Sequence, residues 1–104
     1  MSFSLLYVTH PDPATAKRIG QALLDKKLIA CYNLLPIESA YWWQGQIESA
    51  QEQVTLLKTT NELAARVEEE VIALHPYTTP CVMRIQVSAN RAYEAWIEAE
   101  VSTG

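Results

Sequence analysis

The stretch AYWWQGQIES, Ala40 to Ser49, sets Trp42 and Trp43 side by side just before a Gln44-Gly45 pair. Two-residue hairpin turns need positive φ and favour glycine, so the stretch reads as the tip of a β-hairpin. The arm that leaves it, Ile47 to Thr59, would reach roughly 43 Å if fully extended. A compact chain of this size has a radius of gyration of about 13 Å, so the tip is expected to overhang the body. Successive strand residues point to opposite faces, and Trp42 and Trp43 therefore cannot both enter their own core. At least one of them is expected to meet a partner or a ligand.

Upstream of the hairpin, Phe3 to Thr9 is largely apolar, as in a strand covered on both faces. Asp12 then offers an N-cap and Pro13 a first helical residue, followed by Ala16, Ile19, Gly20 and Leu23 at i, i+3, i+4 and i+7. That spacing predicts an amphipathic helix ending near Lys27. Leu28 to Leu35 begins a second strand, which Pro36 is expected to interrupt and which resumes from Ala40 to Trp43. Downstream, Thr59-Thr60-Asn61-Glu62 fits a capping box, and Leu63, Val67, Val71 and Leu74 mark one face of a second helix that His75-Pro76 ends. After the loop PYTTP, a fourth strand carries Met83, Ile85 and Val87 on one face and Val82, Arg84 and Gln86 on the other. A last helix from about Asn90 has Tyr93, Trp96, Ile97 and Val101 as its expected buried stripe.

The order β-α-β-β-α-β plus a terminal helix predicts one α+β domain over residues 1–104, a ferredoxin-like sandwich with helices on one face of an antiparallel sheet. The other face would ordinarily be wet. Yet LLYV in the first strand and VTLL in the third offer large apolar residues to both faces, which calls for cover from other subunits.

Charge and composition exclude several partners. With 8 Lys+Arg against 12 Asp+Glu and a net charge of −4, the chain has no basic field for nucleic acid or an anionic membrane surface. FSLLYV is too short for a signal-peptide core and lacks a basic flank, and no stretch approaches the length of a bilayer span. Cys31 and Cys81 stand in separate segments without C-x-x-C spacing, so a reduced, cytoplasmic protein is expected.

Three separated motifs, ACYNLLPIESAYWWQGQIES, TLLKTT and LHPYTTP, resemble the CutA family of divalent-cation-tolerance proteins, in the family's order and over essentially the whole chain. The resemblance implies a homotrimer whose long hairpins pair with neighbouring subunits, similar in design to the PII signalling proteins. It also implies a part in tolerance of copper and other divalent ions, as in bacterial members, while eukaryotic members are associated with anchoring acetylcholinesterase. The chain departs from the family pattern at Ile37, where glycine often follows the proline, at Cys81, where glutamate is common, and at Gln86, which replaces a frequent proline.

No Ser-His-Asp, Cys-His-Asn or paired-carboxylate arrangement can be picked out by spacing, so no enzyme and no required cofactor are expected. His75, closing the second helix, suits either a cap on its last carbonyls or, with Cys81, ligation of copper or zinc. His10, in the first β-to-α loop, suits an ordinary polar surface residue or a third ligand, which a neighbouring subunit could equally supply. Cys81 equally suits a buried, inert thiol. Cys31 reads mainly as core, although its place in the first motif marks it for the subunit interface as well. If hairpins cross between subunits, Tyr41, Trp43, Lys58 and Tyr77 would line a cleft in which Lys58 meets a small anionic ligand; otherwise the aromatics are interface packing and Lys58 is a solvated strand end. The functional expectations are a trimeric metal-tolerance protein with weak copper or zinc binding, a PII-like sensor of a small metabolite, or a structural trimeric adaptor. RNA-binding and phosphatase members of the same fold class need basic or anion-binding surroundings that are not evident here.

Overall fold

The computed structural model describes residues 2–102. Its elements are β1 (Phe3–His10), α1 (Pro13–Asp25), β2 (Cys31–Trp43), β3 (Gln46–Thr59), α2 (Ala64–Leu74), β4 (Val82–Val87) and α3 (Arg91–Glu100). The ferredoxin-like α+β plan expected from the sequence is present, with one antiparallel four-stranded sheet in the order β2-β3-β1-β4.

Leu6 and Val8 of β1 and Leu57 of β3 point toward α1 and α2, where they are fully buried with Ile19, Leu23, Val67 and Val71. α1 starts where its signals place it: the Thr15 amide donates to Asp12 Oδ1 at 2.7 Å, ahead of Pro13. Gly20 lets this helix sit close on β2, because a Cβ there would stand 2.7 Å from a ring carbon of Tyr32.

Three local expectations are corrected. β2 runs unbroken through Pro36, which pairs with Gln53; β2 is an edge strand, and a residue without an N–H is tolerated where one side of the strand is open. The capping box does not form. β3 continues to Thr59, whose hydroxyl donates instead to the Leu28 carbonyl at 2.6 Å, and α2 begins only after a turn in which the Leu63 amide donates to the Thr60 carbonyl. In α3 Ile97 is buried but Trp96 is exposed, while Glu94 turns inward to accept from the Ala89 amide at 2.7 Å.

The second face of the sheet is only partly covered. α3 caps one end, where the Tyr93 ring meets Phe3 edge-on at 6.1 Å between centroids. Beyond it, Leu35, Met83 and Ile85 remain exposed. The hairpin turns with φ of 51° at Gln44 and 81° at Gly45, positive at both central residues as a type I′ turn requires. Its length stretches the molecule to 45 × 24 × 20 Å. Trp42 is 72% exposed, Ile47 65% and Trp43 43%, so the tip does stand clear of the body.

The Gly20–Tyr32 approach supplies a test of the packing. Gly20→Val should destabilise the protein by about 2 kcal/mol in urea unfolding, the usual cost of overpacking. Tyr32→Ala in the same chain should recover part of that loss, and strictly additive effects would show that the two sites are not in contact.

Candidate functional site

A cleft of about 450 Å³ opens between the hairpin and the loop that follows α2. Strand alternation builds its sheet side. Residues directly opposed across paired strands share a face, so the register Cys31↔Lys58 through Trp43↔Gln46 sends Tyr41, Trp43 and Glu52 to the face away from α1 and α2. Thr9 of β1 joins them, and Pro76, Tyr77, Thr78, Thr79 and Cys81 close the cleft from the loop.

The Tyr77 hydroxyl donates to Glu52 Oε2 at 2.6 Å, and the Glu52 residue is only 7% exposed. Burial, the bond to Glu52 and the charge of that carboxylate hold the Tyr77 phenol well above its ordinary pKa, so it stays a proton donor. Burial also pushes the Cys81 thiol up, with the Glu52 charge adding to it, which keeps the sulfur protonated and a poor nucleophile at neutral pH.

Behind the loop, the rings of His10 and His75 stack with centroids 5.2 Å apart, and His75 lies 4.7 Å from the Tyr77 ring. The Thr9 carbonyl can only accept, so His75 Nε2 donates to it, at 2.7 Å, while His75 Nδ1 accepts from the Tyr77 amide at 3.2 Å. Both nitrogens are thus engaged, and His75 anchors the loop to β1. His10 Nε2 bonds with Thr55 Oγ1 at 2.8 Å, and its Nδ1 is buried with no partner. The three residues expected as metal ligands are consequently split: His10 and His75 face one another, and Cys81 borders the cleft. Among the described residues no group of three or more His, Cys, Asp and Glu side chains is placed to hold a metal ion.

Of the expected cleft residues, Tyr41, Trp43 and Tyr77 come together, and Trp42 points to the opposite face of the hairpin. Lys58 does not join them. It lies six residues beyond Glu52 on β3, about 20 Å along the strand, where its Nζ donates to the Tyr93 hydroxyl at 3.1 Å and sits 5.4 Å from the ring centroid. That bond raises the Lys58 pKa. Cys31 Sγ is 3.5 Å from the same hydroxyl, so Lys58 and Cys31 belong to the contact under α3. The cleft therefore lacks the cation expected to meet an anionic ligand. Glu52 was missed by sequence reasoning, although a signal existed: a carboxylate stands at the same strand parity as Val54 and Leu56.

A ferredoxin-like sandwich with an overhanging hairpin and a lateral aromatic cleft defines the class of protein. Residues 4–100 match the family model for the CutA1 divalent ion tolerance protein, and the chain belongs to that family. It is 42% identical over 99 residues to the divalent-cation tolerance protein CutA of Archaeoglobus fulgidus, covering 94% of this chain and 97% of that one. It is 40% identical over 98 residues to the protein of the same name from Thermotoga maritima, covering 93% and 97%. The solved structure of the Archaeoglobus fulgidus protein, which is described as periplasmic, matches with a TM-score of 0.93 over 98% of this chain and 100% of that one.

The buried histidine has a measurable consequence. Burial, with the charge of His75 adding to it, lowers the His10 pKa from 6.5 to about 4, against weaker opposing effects of Asp12 and Glu52. The unfolded chain takes up this proton near pH 6.5 and the folded chain only near pH 4. The stabilisation is therefore complete above pH 6.5 and is lost as the pH falls toward 4, by on the order of 3 kcal/mol. His10→Gln, which keeps an amide for Thr55, should flatten that part of the pH dependence in urea unfolding compared at pH 4.5 and 7; equal slopes for the two proteins would contradict the assignment.

Proposed function

We propose that the chain acts in divalent-cation tolerance as a non-catalytic homotrimer whose clefts take a small ligand, within a reducing cytoplasm. The observation that carries the assembly is the part of the second sheet face left open by α3, where Leu35, Met83 and Ile85 are exposed, together with an aromatic hairpin that overhangs the body. Exposed large apolar side chains on one sheet face mark an interaction site. The outer side of β2 adds an unpaired strand edge to it. Both cysteines are free, which supports the reducing setting.

The cleft supports the sensor reading over a bare adaptor, since its volume lies in the usual range for small-ligand pockets. Copper or zinc binding is the weaker part of the proposal. His75 can ligate only by surrendering a hydrogen bond, and the Cys81 thiol resists ionisation. A coordinated thiol must first lose its proton, so affinity rises with pH.

Light scattering at micromolar concentration should report a trimer, and Trp42→Ser with Trp43→Ser should weaken it, because each ring buries a large apolar area. A stable, well-folded monomer would reject the assembly. In calorimetry, zinc is expected to bind more weakly than about 1 μM at pH 7, more tightly at higher pH, and less after Cys81→Ser. A nanomolar site indifferent to Cys81 would refute the assignment.

A further inference from the structure

The geometry points to the cleft as a binding site for a small organic cation, an alkylammonium group seated among Tyr41, Trp43 and Tyr77 with its charge toward Glu52. This rests on the reading of the cleft as a ligand site and names the class of ligand.

Glu52 makes the demand. Its residue is 7% exposed, and the only hydrogen bond to its carboxylate among the described residues is the one from Tyr77, at 2.6 Å. A carboxylate has about four acceptor positions, so one bond from Tyr77 leaves room for a ligand N–H. The ion pairs among the described residues are Lys26–Glu70 and Arg84–Glu68, and neither involves Glu52. A carboxylate that is largely shielded from bulk water and has no counter-charge from its own chain attracts a cation placed beside it more strongly than the same group would in open solvent.

The walls fit that cation. Three of the lining residues are aromatic, and aromatic faces attract alkylammonium groups, more strongly when the site excludes water. Glu52 is the one charged residue among the lining side chains, and the threonines at positions 9, 78 and 79 add hydroxyls able to accept from an ammonium N–H. Burial is the main cause of the raised Tyr77 and Cys81 pKa values, and the Glu52 charge adds to it at both, with smaller contributions from Tyr41 and Asp12 at Tyr77. An anionic ligand would meet this negative field with no compensating charge from the same chain, because its Lys58 is held under α3.

Calorimetry on the intact protein, in its native assembly, would compare choline and n-butylammonium with 3,3-dimethylbutan-1-ol, the uncharged isostere of choline. Saturable binding of the cations, with the alcohol at least tenfold weaker, is expected, and this comparison needs no variant. Glu52→Gln and Tyr41→Leu should each weaken choline about tenfold or more, while Lys58→Met should leave it unchanged. Equal affinity for choline and the alcohol would overturn cation recognition and leave a ligand cleft standing, as would binding of carboxylates or phosphates in place of amines. No binding by any compound of any charge would overturn the cleft reading as well. If amines fail to bind and Glu52→Gln instead weakens self-association in light scattering, the counter-charge is a Lys or Arg of a second copy, and the free-ligand proposal falls.

Discussion

The register between β2 and β3 is the constraint on which the remaining structure depends. Thirteen opposed pairs, from Cys31↔Lys58 to Trp43↔Gln46, fix which side chains face the helices and which face the cleft. A slip of one residue would exchange the faces, sending Glu52 toward α1 and α2 and Thr55 and Leu57 away from them. The register is pinned at both ends. At one end the Gln44-Gly45 turn imposes positive φ at two successive residues. At the other, the Ala30 amide donates to the Lys58 carbonyl at 2.8 Å and the Thr59 hydroxyl to the Leu28 carbonyl at 2.6 Å. Between them, the contact of α1 on Tyr32 leaves no room for a side chain at position 20.

The cleft depends on this sheet through a short chain of bonds. His75 reaches the Thr9 carbonyl and receives the Tyr77 amide, and Tyr77 reaches Glu52, so the end of α2 is tied to β1 and its following loop to β3. That arrangement explains why a histidine at a helix terminus ends up buried. It does not cap the helix it closes. It serves the next loop, with one ring nitrogen turned to a carbonyl and the other to an amide.

Much of the fold was legible because its signals are local or periodic. The Asp12-Pro13 start, the apolar spacing of α1 and the glycine turn are properties of a few adjacent residues, and each lies where the sequence put it. The errors are tertiary. Thr59 and Thr60 carry cap chemistry, but Thr59 spends its hydroxyl on Leu28, across the chain, and so α2 begins later. Pro36 has the composition of a break, and only the placing of β2 at the sheet edge makes it harmless. The site was half legible for the same reason. Tyr41, Trp43 and Tyr77 announce themselves as aromatics, whereas the separation of Lys58 from Glu52 depends on strand parity combined with the position of Tyr93, a residue 35 positions further on.

Adjacent tryptophans at a hairpin tip look redundant until the faces are separated. Trp43 lines the cleft, and Trp42, on the opposite side of the same strand, stands 72% exposed. One short segment therefore serves two environments, and its backbone is common to both. In the trimer proposed here, a neighbour that buries Trp42 restricts the strand carrying Trp43, and a ligand held against Trp43 restricts the strand carrying Trp42. Binding free energies linked through one element are reciprocal. With the ligand proposed for the cleft, occupancy and strength of assembly would then rise or fall together.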